Sequence, residues 1–307
     1  MMSRPKYADL PDGSAWDVLD PQLGSLELLT AERVAAAAQL VCTGKRFALD
    51  LVLDQPSPPM FGRQPFRHEV FEIMENCLDD YLDGFYLQGS TQWDGFGHFA
   101  HPAKGFFGGK SAAQVKAGEL GIEAWSVEGI AGRGVLLDVA RQEEIAGDSG
   151  FVVTPELLDR TAASQDVEVR TGDVLCVRVG WLSWYRTLDA EQRAALVDPA
   201  QLGRGMQIPG LGPGPAVAEW CWDHGIAAIA VDNPTVEVIP APGVQPVEDM
   251  LHTRLLALLG VPLGEFFDLD ALADDCAADG VYEFLFTSKP LGIPGGVGSP
   301  PNALAIK

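Results

Sequence analysis

Residues 172–180, Gly-Asp-Val-Leu-Cys-Val-Arg-Val-Gly, decide the architecture. Gly172-Asp173 is a turn dipeptide. The run from Val174 to Val179 is apolar on both alternating faces, apart from Arg178. A strand with two apolar faces has to be covered on both sides, which is the position of a strand inside a helix-flanked sheet. Two runs of the same kind stand on either side in sequence: RGVLLDVA at 133–140 and IAAIAVD at 226–232. Helical signals fall between and after them. Thr154 as N-cap with Pro155 at the first helical position predicts a helix over 155–164. PAVAEWCWDHG (215–225) reads as a helix closed by Gly225, and 248–259 as another that ends at Gly260. Residues 282–288 and 303–307 read as late strands. Buried strands alternating with helices predict an α/β fold with a mixed, largely buried sheet and flanking helices.

Toward the N-terminus the reading is simpler. Residues 1–29, rich in Pro, Asp and Gly, read as an extended arm. Thr30 is an N-cap, Glu32 lies in the first turn, an Ala-rich body follows, and Gly44 stands past the end of the predicted helix. Residues 46–53 read as a strand. The Pro-rich segment 56–65 reads as a loop, because structured patterns resume on both sides of it. Residues 30–307 are therefore expected to form a single domain, without internal repeats or low-complexity tracts.

Composition narrows the function classes. The 307 residues carry 21 Lys plus Arg against 43 Asp plus Glu, a formal net charge of −22. Such a field repels phosphate backbones and anionic lipid, so a small molecule is the expected partner, and neither nucleic acid nor a membrane. The five cysteines are an odd number at wide spacings with no C-x-x-C, which argues against a disulfide framework and a thiolate zinc site. No apolar run reaches the length of a membrane span. Met1 to Leu10 lacks a basic region followed by an apolar run, so a cytoplasmic location is expected.

The stretch that carries chemistry is Gln88-Gly89-Ser90-Thr91-Gln92-Trp93-Asp94-Gly95-Phe96-Gly97-His98. In an extended chain Gln88, Ser90, Gln92 and Asp94 share a face, and Trp93 points to the other, toward the core. Gln88 and Gln92 would then stand roughly 13 Å apart at about 3.3 Å per residue. Convergence on one ion needs a bend, which Gly89 can supply, while Gly95 and Gly97 allow His98 to return toward Asp94. Amide oxygens, one carboxylate and one imidazole make a pocket suited to a hard divalent ion such as Mn²⁺ or Mg²⁺. The same residue types are also common on solvated strands, so spacing alone leaves both readings open.

This segment resembles the signature of the cyclase family, H-x-G-T-H-x-D-x-P-x-H, whose members include bacterial kynurenine formamidase, isatin hydrolase and trans-dienelactone hydrolase. Thr91, Asp94 and His98 match; Gln88 and Gln92 stand in place of the two leading histidines, Ser90 in place of Gly and Phe96 in place of Pro. The pattern Q-x₃-Q-x-D-x₃-H resembles the trans-dienelactone hydrolase branch. The likeness extends along the chain. It includes Leu23-Gly24-Ser25-Leu26, Arg133 to Asp138, Gly172-Asp173 with Gly180-Trp181, and Ile229 to Asp232. It continues through His252 with Leu255-Leu256, then Glu265, and Gly298-Ser299-Pro300.

The resemblance implies the family's swivelling β/β/α domain. It implies Gln88, Gln92 and Asp94 as metal ligands, with His252 and Glu265 on a possible second ion, and His98 as catalytic acid/base. Mn²⁺ is favoured and Zn²⁺ is possible, and the reaction implied is hydrolysis of a lactone or related cyclic ester. An aryl formamide or isatin-type amidohydrolase is the alternative, as is a member that binds a ligand without turning it over; dehydration or cyclisation also stays open. A homodimer or homotetramer is implied. Outside that set, His101 is expected behind the site, and Trp181, with Trp184, along a pocket wall. Arg63 and Arg67, close to His68, can meet a substrate carboxylate through the guanidinium fork, or simply belong to a surface loop. His224 reads as structural, at a helix C-terminus where a cation is favoured.

Overall fold

The computed structural model describes residues 4–197, 206–239 and 247–307. Residues 1–3 of the arm lie outside them. The apolar runs become a nine-stranded mixed sheet. Its centre is parallel: Ile130–Asp138, Val174–Arg178, Ala228–Val231 and Leu263–Glu265 lie side by side in that order. Antiparallel strands complete both sides. Glu283–Ser288, Ala303–Ile306 and Arg46–Ala48 follow on one, and Gln92–Asp94 and Gly298–Ser299 on the other. Val174 to Val177 are fully buried, as the two-sided apolar pattern requires. Cys176, Cys221 and Cys276 are buried in the same interior as free thiols, and burial pushes Cys221 up to about 12.

The helix signals translate directly. Thr154 accepts a hydrogen bond from the Leu157 amide, and the helix runs Pro155–Ser164. The helix Pro215–His224 is closed by Gly225 in the left-handed region. Two segments are shorter than predicted. The helix after Thr30 covers only Ala31–Ala37 and tightens into a single turn, Ala38–Leu40. The backbone then leaves it so that the amides of Thr43 and Gly44 reach the carbonyl of Lys307. The strand predicted at 46–53 covers only Arg46–Ala48. Its neighbour begins at Ala303, after Pro300 and Pro301, which cannot donate to a ladder.

The arm is not extended away from the body. Leu10, Ala15, Leu19 and Leu26 are buried, and the Ala15 and Ser25 amides donate to the carbonyls of Leu258 and Gly260. At Gly24 a side chain would stand 2.2 Å from the Gly260 carbonyl oxygen, so only glycine allows this approach. An unpredicted hairpin, Arg67–Met74 with Cys77–Asp83, stands on the surface with Ile73, Met74 and Leu78 exposed.

Two carboxylates tie the ends of the parallel strands. Asp232 accepts from the Val179 and Gly180 amides at 2.6 and 2.8 Å, and burial pushes it up to about 7. Asp138 holds Arg178 at 2.9 Å, and Arg178 reaches on to Asp270 at 2.8 Å. These two acids of the linked motifs therefore fix strand ends next to the helix that begins at Trp181.

Trp93 sits opposite Gly264 in the register, and its ring packs 5.0 Å from Phe267 and 6.2 Å from Phe286. It is fully buried and its indole donates to Ser288 at 2.9 Å. Trp93→Ala should lower the unfolding free energy by about 3–5 kcal/mol through lost transfer and a residual cavity. Urea unfolding followed by circular dichroism measures this. A loss below about 1 kcal/mol would show that the sheet does not rest on that contact.

Candidate metal centre and active site

Strand register assembles the site. Gln92–Asp94 pairs antiparallel with Leu263–Glu265, and Gln92 stands directly opposite Glu265. Residues directly opposite in a ladder project to the same face, so Gln92, Asp94 and Glu265 share one side while Trp93 takes the other. Gln92 is fully buried, and its amide nitrogen bridges both acids, at 2.7 Å from Glu265 and 3.2 Å from Asp94. Leu263–Glu265 runs parallel to the central strands, so Glu265 lies at their C-terminal edge, where open α/β sheets place their ligands.

Gln88 arrives by a different route from the one predicted. The chain is not extended from Gln88: it turns there, with the Gly89 amide donating to the Tyr86 carbonyl, and becomes a strand only at Gln92. Ser90 consequently leaves the shared face and donates to the Val52 carbonyl. Thr91 is buried and donates to the Phe266 carbonyl at 2.8 Å, which fixes the strand against the residue after Glu265. The turn brings the Gln88 amide nitrogen to Asp94 and, at 3.0 Å, to Nδ1 of His98. Gly95 accepts the His98 amide at 2.9 Å, and the curl places His98 Nε2 3.8 Å from Asp94. Of the cluster, His98 is the ring that keeps a partly open side, at 27% exposure.

His252 comes from the helix His252–Leu259, which is wound with the wider π-type turn often met at functional positions. Its Nε2 lies 3.4 Å from Asp94 and 3.3 Å from Glu265. Its Nδ1 lies 3.0 Å from Glu237, and its backbone amide donates to the same carboxylate at 3.2 Å. Glu237 is 1% exposed. A carboxylate behind an imidazole orients the ring and raises its basicity, the usual arrangement behind a metal-ligating histidine. The sequence analysis did not single out Glu237. No local signal marked it: between Val236 and Val238 the acid falls where an alternating strand places a solvent-facing polar residue.

The electrostatics follow from crowding. Burial alone would push Asp94 up, but the charges of His98 and His252 and the Gln88 hydrogen bond hold it below the ordinary value. Burial, with the Asp94 charge beside it, pushes Glu265 up to about 8. His252 is held well above its ordinary value: burial opposes this, and Glu237, Asp94 and Glu265 outweigh it. His98 is lowered by burial, with Asp94 pulling the other way.

These residues fit a divalent cation. Among the described residues, the Asp94 Oδ2 and Gln92 Oε1 atoms are buried without a hydrogen-bond partner. A ligand atom from each of Asp94, His98 and His252 lies within 4.8 Å of the others. Three buried carboxylates face two imidazoles, an excess of negative charge that a bound cation would offset. Both glutamine amides turn their nitrogens to the acids, which leaves the Gln92 Oε1 atom facing the cluster with Asp94, His252 and Glu265.

The remaining predicted residues stand apart. His101 accepts from the Ala103 and Lys104 amides at 3.1 and 3.2 Å and holds its own turn. Arg67 pairs with Glu69 and Asp83 on the hairpin, and His68 with Asp80 at 2.7 Å. Trp181 is buried, stacked on Tyr185 at 5.2 Å and set against Phe266 at 5.7 Å, so it walls the site through the neighbour of Glu265. Trp184 lies 6.0 Å from Trp181. His224 packs on Trp220 at its helix end. Phe99, not predicted, lies 5.4 Å from the His252 ring and 6.2 Å from His98, an apolar surface beside the cluster.

Two outcomes follow for Mn²⁺ binding measured by calorimetry. Glu237→Gln should weaken it about ten- to a hundredfold without loss of helical signal. Because Glu265 is held near 8 and must give up its proton to ligate, affinity in the native protein should rise as pH goes from 6 to 8. A flat pH dependence, or an unchanged Glu237→Gln variant, contradicts this arrangement.

Comparison with known proteins gives a consistent neighbourhood. The model of the Cyclase family matches residues 51–238, which include the Gln88–His98 segment and three central strands. A crystal structure described as a novel cyclase is 34% identical, covers 96% of this chain and 99% of its own, and superposes with a TM-score of 0.82. Isatin hydrolase A from Labrenzia aggregata, solved with benzyl benzoate, is 18% identical over 92% of this chain and 98% of its own, with a TM-score of 0.58. An isatin hydrolase bound to the product analogue thioisatinate is 17% identical over 90% and 98%, with a TM-score of 0.59. At that identity the two hydrolases share the fold. A comparison with curated proteins returns no match.

Proposed function

Because the chain belongs to the cyclase family, we propose that it is a metal-dependent hydrolase that opens a lactone or related cyclic ester. One observation carries this reading: the buried, unpartnered Asp94 oxygen beside His252 Nε2 and Glu265. That oxygen accepts no hydrogen bond, and a cation would supply the partner its burial calls for. Asp94, His252 and Glu265 would hold the ion, with Gln92 next to it. Two carboxylates, an amide and one imidazole form an oxygen-dominated set that favours Mn²⁺ over a softer ion, with Zn²⁺ second.

A bound divalent ion lowers the pKa of its water and polarises an acyl oxygen. The chain's own groups do the rest. Glu237 keeps the His252 ring fixed and Nε2 directed at the carboxylates. Gln88 lies 3.0 Å from Nδ1 of His98 and sets that ring, leaving Nε2 toward the reaction space. His98, lowered by burial, is neutral near pH 7 and can accept a proton and pass it to the leaving group. Phe99 and the buried wall of Phe266 and Trp181 limit water around the cluster.

The same groups serve amide hydrolysis, and the isatin hydrolases of shared fold keep that alternative in the test. Protein stripped with EDTA and reloaded with Mn²⁺, Zn²⁺ or Mg²⁺ would be assayed on trans-dienelactone, isatin and N-formylkynurenine. Mn²⁺-dependent turnover of the lactone supports the proposal. Turnover confined to isatin or the formamide moves the reading to an amidohydrolase, and none, with no bound metal, to a ligand-binding member.

His98→Gln should cut kcat about 10²- to 10⁴-fold. The sign of its pH effect is fixed by burial. The neutral, active ring persists below its ordinary value near 6.5, so activity should fall only as pH drops through a lower value. An acid limb above pH 6.5, or one that survives in His98→Gln, would remove His98 from the proton path.

A further inference from the structure

We infer that Asn233 is a positioning residue for the metal centre: it clamps the turn that carries Glu237 and so sets the carboxylate that orients His252. This inference rests on the metal-binding reading above and adds the device that aims one of its acids.

The turn before Glu237 is strained. The Glu237 amide donates to the Thr235 carbonyl at 2.5 Å, a hydrogen bond between residues two apart. Such a bond closes a γ-turn, and Val236 at its centre has φ 57°. The γ-turn with a positive φ at its centre is the rare, strained form. A β-branched residue there is a genuine outlier, and Val236 is also fully buried. Backbone of this kind persists only where its surroundings over-determine it, and it clusters at functional sites. The next side chain is Glu237, which lies 3.0 Å from Nδ1 of His252 and accepts the His252 backbone amide.

Asn233 does much of the holding. It is fully buried, and its amide nitrogen donates to the carbonyls of Pro209 at 2.7 Å and Val236 at 3.3 Å. Its Oδ1 accepts the Thr235 amide at 3.4 Å. Both ends of the side chain are therefore engaged with this turn and the segment beside it. The Leu211 amide reaches the same Val236 carbonyl at 3.0 Å, and the Thr235 hydroxyl donates to the Glu237 carbonyl at 2.8 Å. At Gly210 a side chain would stand 2.7 Å from the Asn233 amide nitrogen and 2.5 Å from the Glu237 carbonyl carbon. Only glycine lets the segment come this close.

The same residue reaches the other acid beside His252. The Asn233 carbonyl accepts the Phe266 amide at 2.9 Å, one position past Glu265. Phe266 is likewise fully buried at positive φ, 56°. Glu265 and Glu237 stand against the two nitrogens of the His252 ring, at 3.3 and 3.0 Å. Each acid thus adjoins a bulky residue in the left-handed region, and both of those residues are hydrogen-bonded to Asn233. One side chain and its carbonyl fix the spacing of the two acids that hold the imidazole between them.

The test is a double-mutant cycle on Mn²⁺ binding, measured by calorimetry, with Asn233→Asp, Glu237→Gln and the two combined. Asn233→Asp keeps the shape and removes the N–H donors. It should weaken binding about ten- to a hundredfold. The combined variant should match Glu237→Gln alone to within about twofold, because both changes act through one carboxylate. Losses that multiply would make Asn233 a general support of the fold and overturn the inference. Thr235→Val, isosteric and half-buried, frees the Glu237 carbonyl and should cost about three- to tenfold. It carries the test if Asn233→Asp does not fold, and unchanged affinity in the folded variants also overturns the clamp. A metal-free readout separates the clamp from the metal reading. The imidazole proton shared by His252 Nδ1 and Glu237 should give a downfield NMR signal, identified by its loss in His252→Gln. Its absence from wild type would mean that Glu237 does not hold the ring, and would sink the clamp. In Asn233→Asp or Thr235→Val the signal should shift or broaden. If wild type binds no Mn²⁺, the metal reading fails while a shifted signal still supports the clamp. An unshifted signal sinks the clamp alone.

Discussion

The Asp94 carboxylate, fully buried with one oxygen unpartnered, is the constraint on which the rest of this structure depends. Removing an ionised carboxylate from water costs several kcal/mol even after the protein relaxes around it. The chain surrounds it with compensations: amides from Gln88 and Gln92 on one oxygen and the His252 imidazole near the other. Each compensation has its own support. Gln92 is fixed by its register opposite Glu265, Gln88 by the turn at Tyr86, and His252 by Glu237. These supports bring a second and a third carboxylate, so the excess of negative charge grows as the geometry tightens. A site built this way is stable when something positive occupies it, which is why the fold and the proposed chemistry meet at this atom.

Glutamine in place of histidine changes the character of such a site. An imidazole offers one nitrogen lone pair to a metal and an N–H to a neighbour; a primary amide offers two N–H groups and an oxygen. Beside two acids the amide turns its nitrogen to the carboxylates, as Gln92 does toward Asp94 and Glu265. The softer nitrogen donors are thereby reduced to His252 and the edge ring of His98, and the balance moves toward oxygen. The same amides tie Asp94 to His98 and to Glu265, so the proposed ligands and the His98 ring form one hydrogen-bonded unit.

Much of this was legible in the sequence, and what was not has identifiable physical causes. The cap at Thr154, the helix closed by Gly225 and the two-sided apolar run at Val174 to Val177 are local signals, and they produced the elements expected of them. Gln88, Gln92, Asp94, His98, His252 and Glu265 do come together. The route by which Gln88 arrives was hidden, because alternation describes an extended chain and the turn at Tyr86 takes Ser90 to Val52. The hairpin 67–83 was missed because its strands are mostly exposed and charged, without the alternation that marks a half-buried strand. Its turn signal, Asn76 at positive φ, is a single residue. The shortening of strand 46–48 depended on a partner some 250 positions away.

Arg63 and Arg67 show why proximity in sequence is a weak guide to shared function. Four positions apart, they looked like one basic cluster. The fold separates them by the kind of element each belongs to. Arg67 opens a strand whose pairing partner supplies Tyr81 and Asp83 across the ladder, so its charge is consumed locally. Arg63 lies in a loop with neither ladder nor acid, held from behind by Met60 while Ser57 is tied to Tyr185. In a chain of net charge −22, an unmatched cation costs little in the free protein, because the surrounding field already favours it.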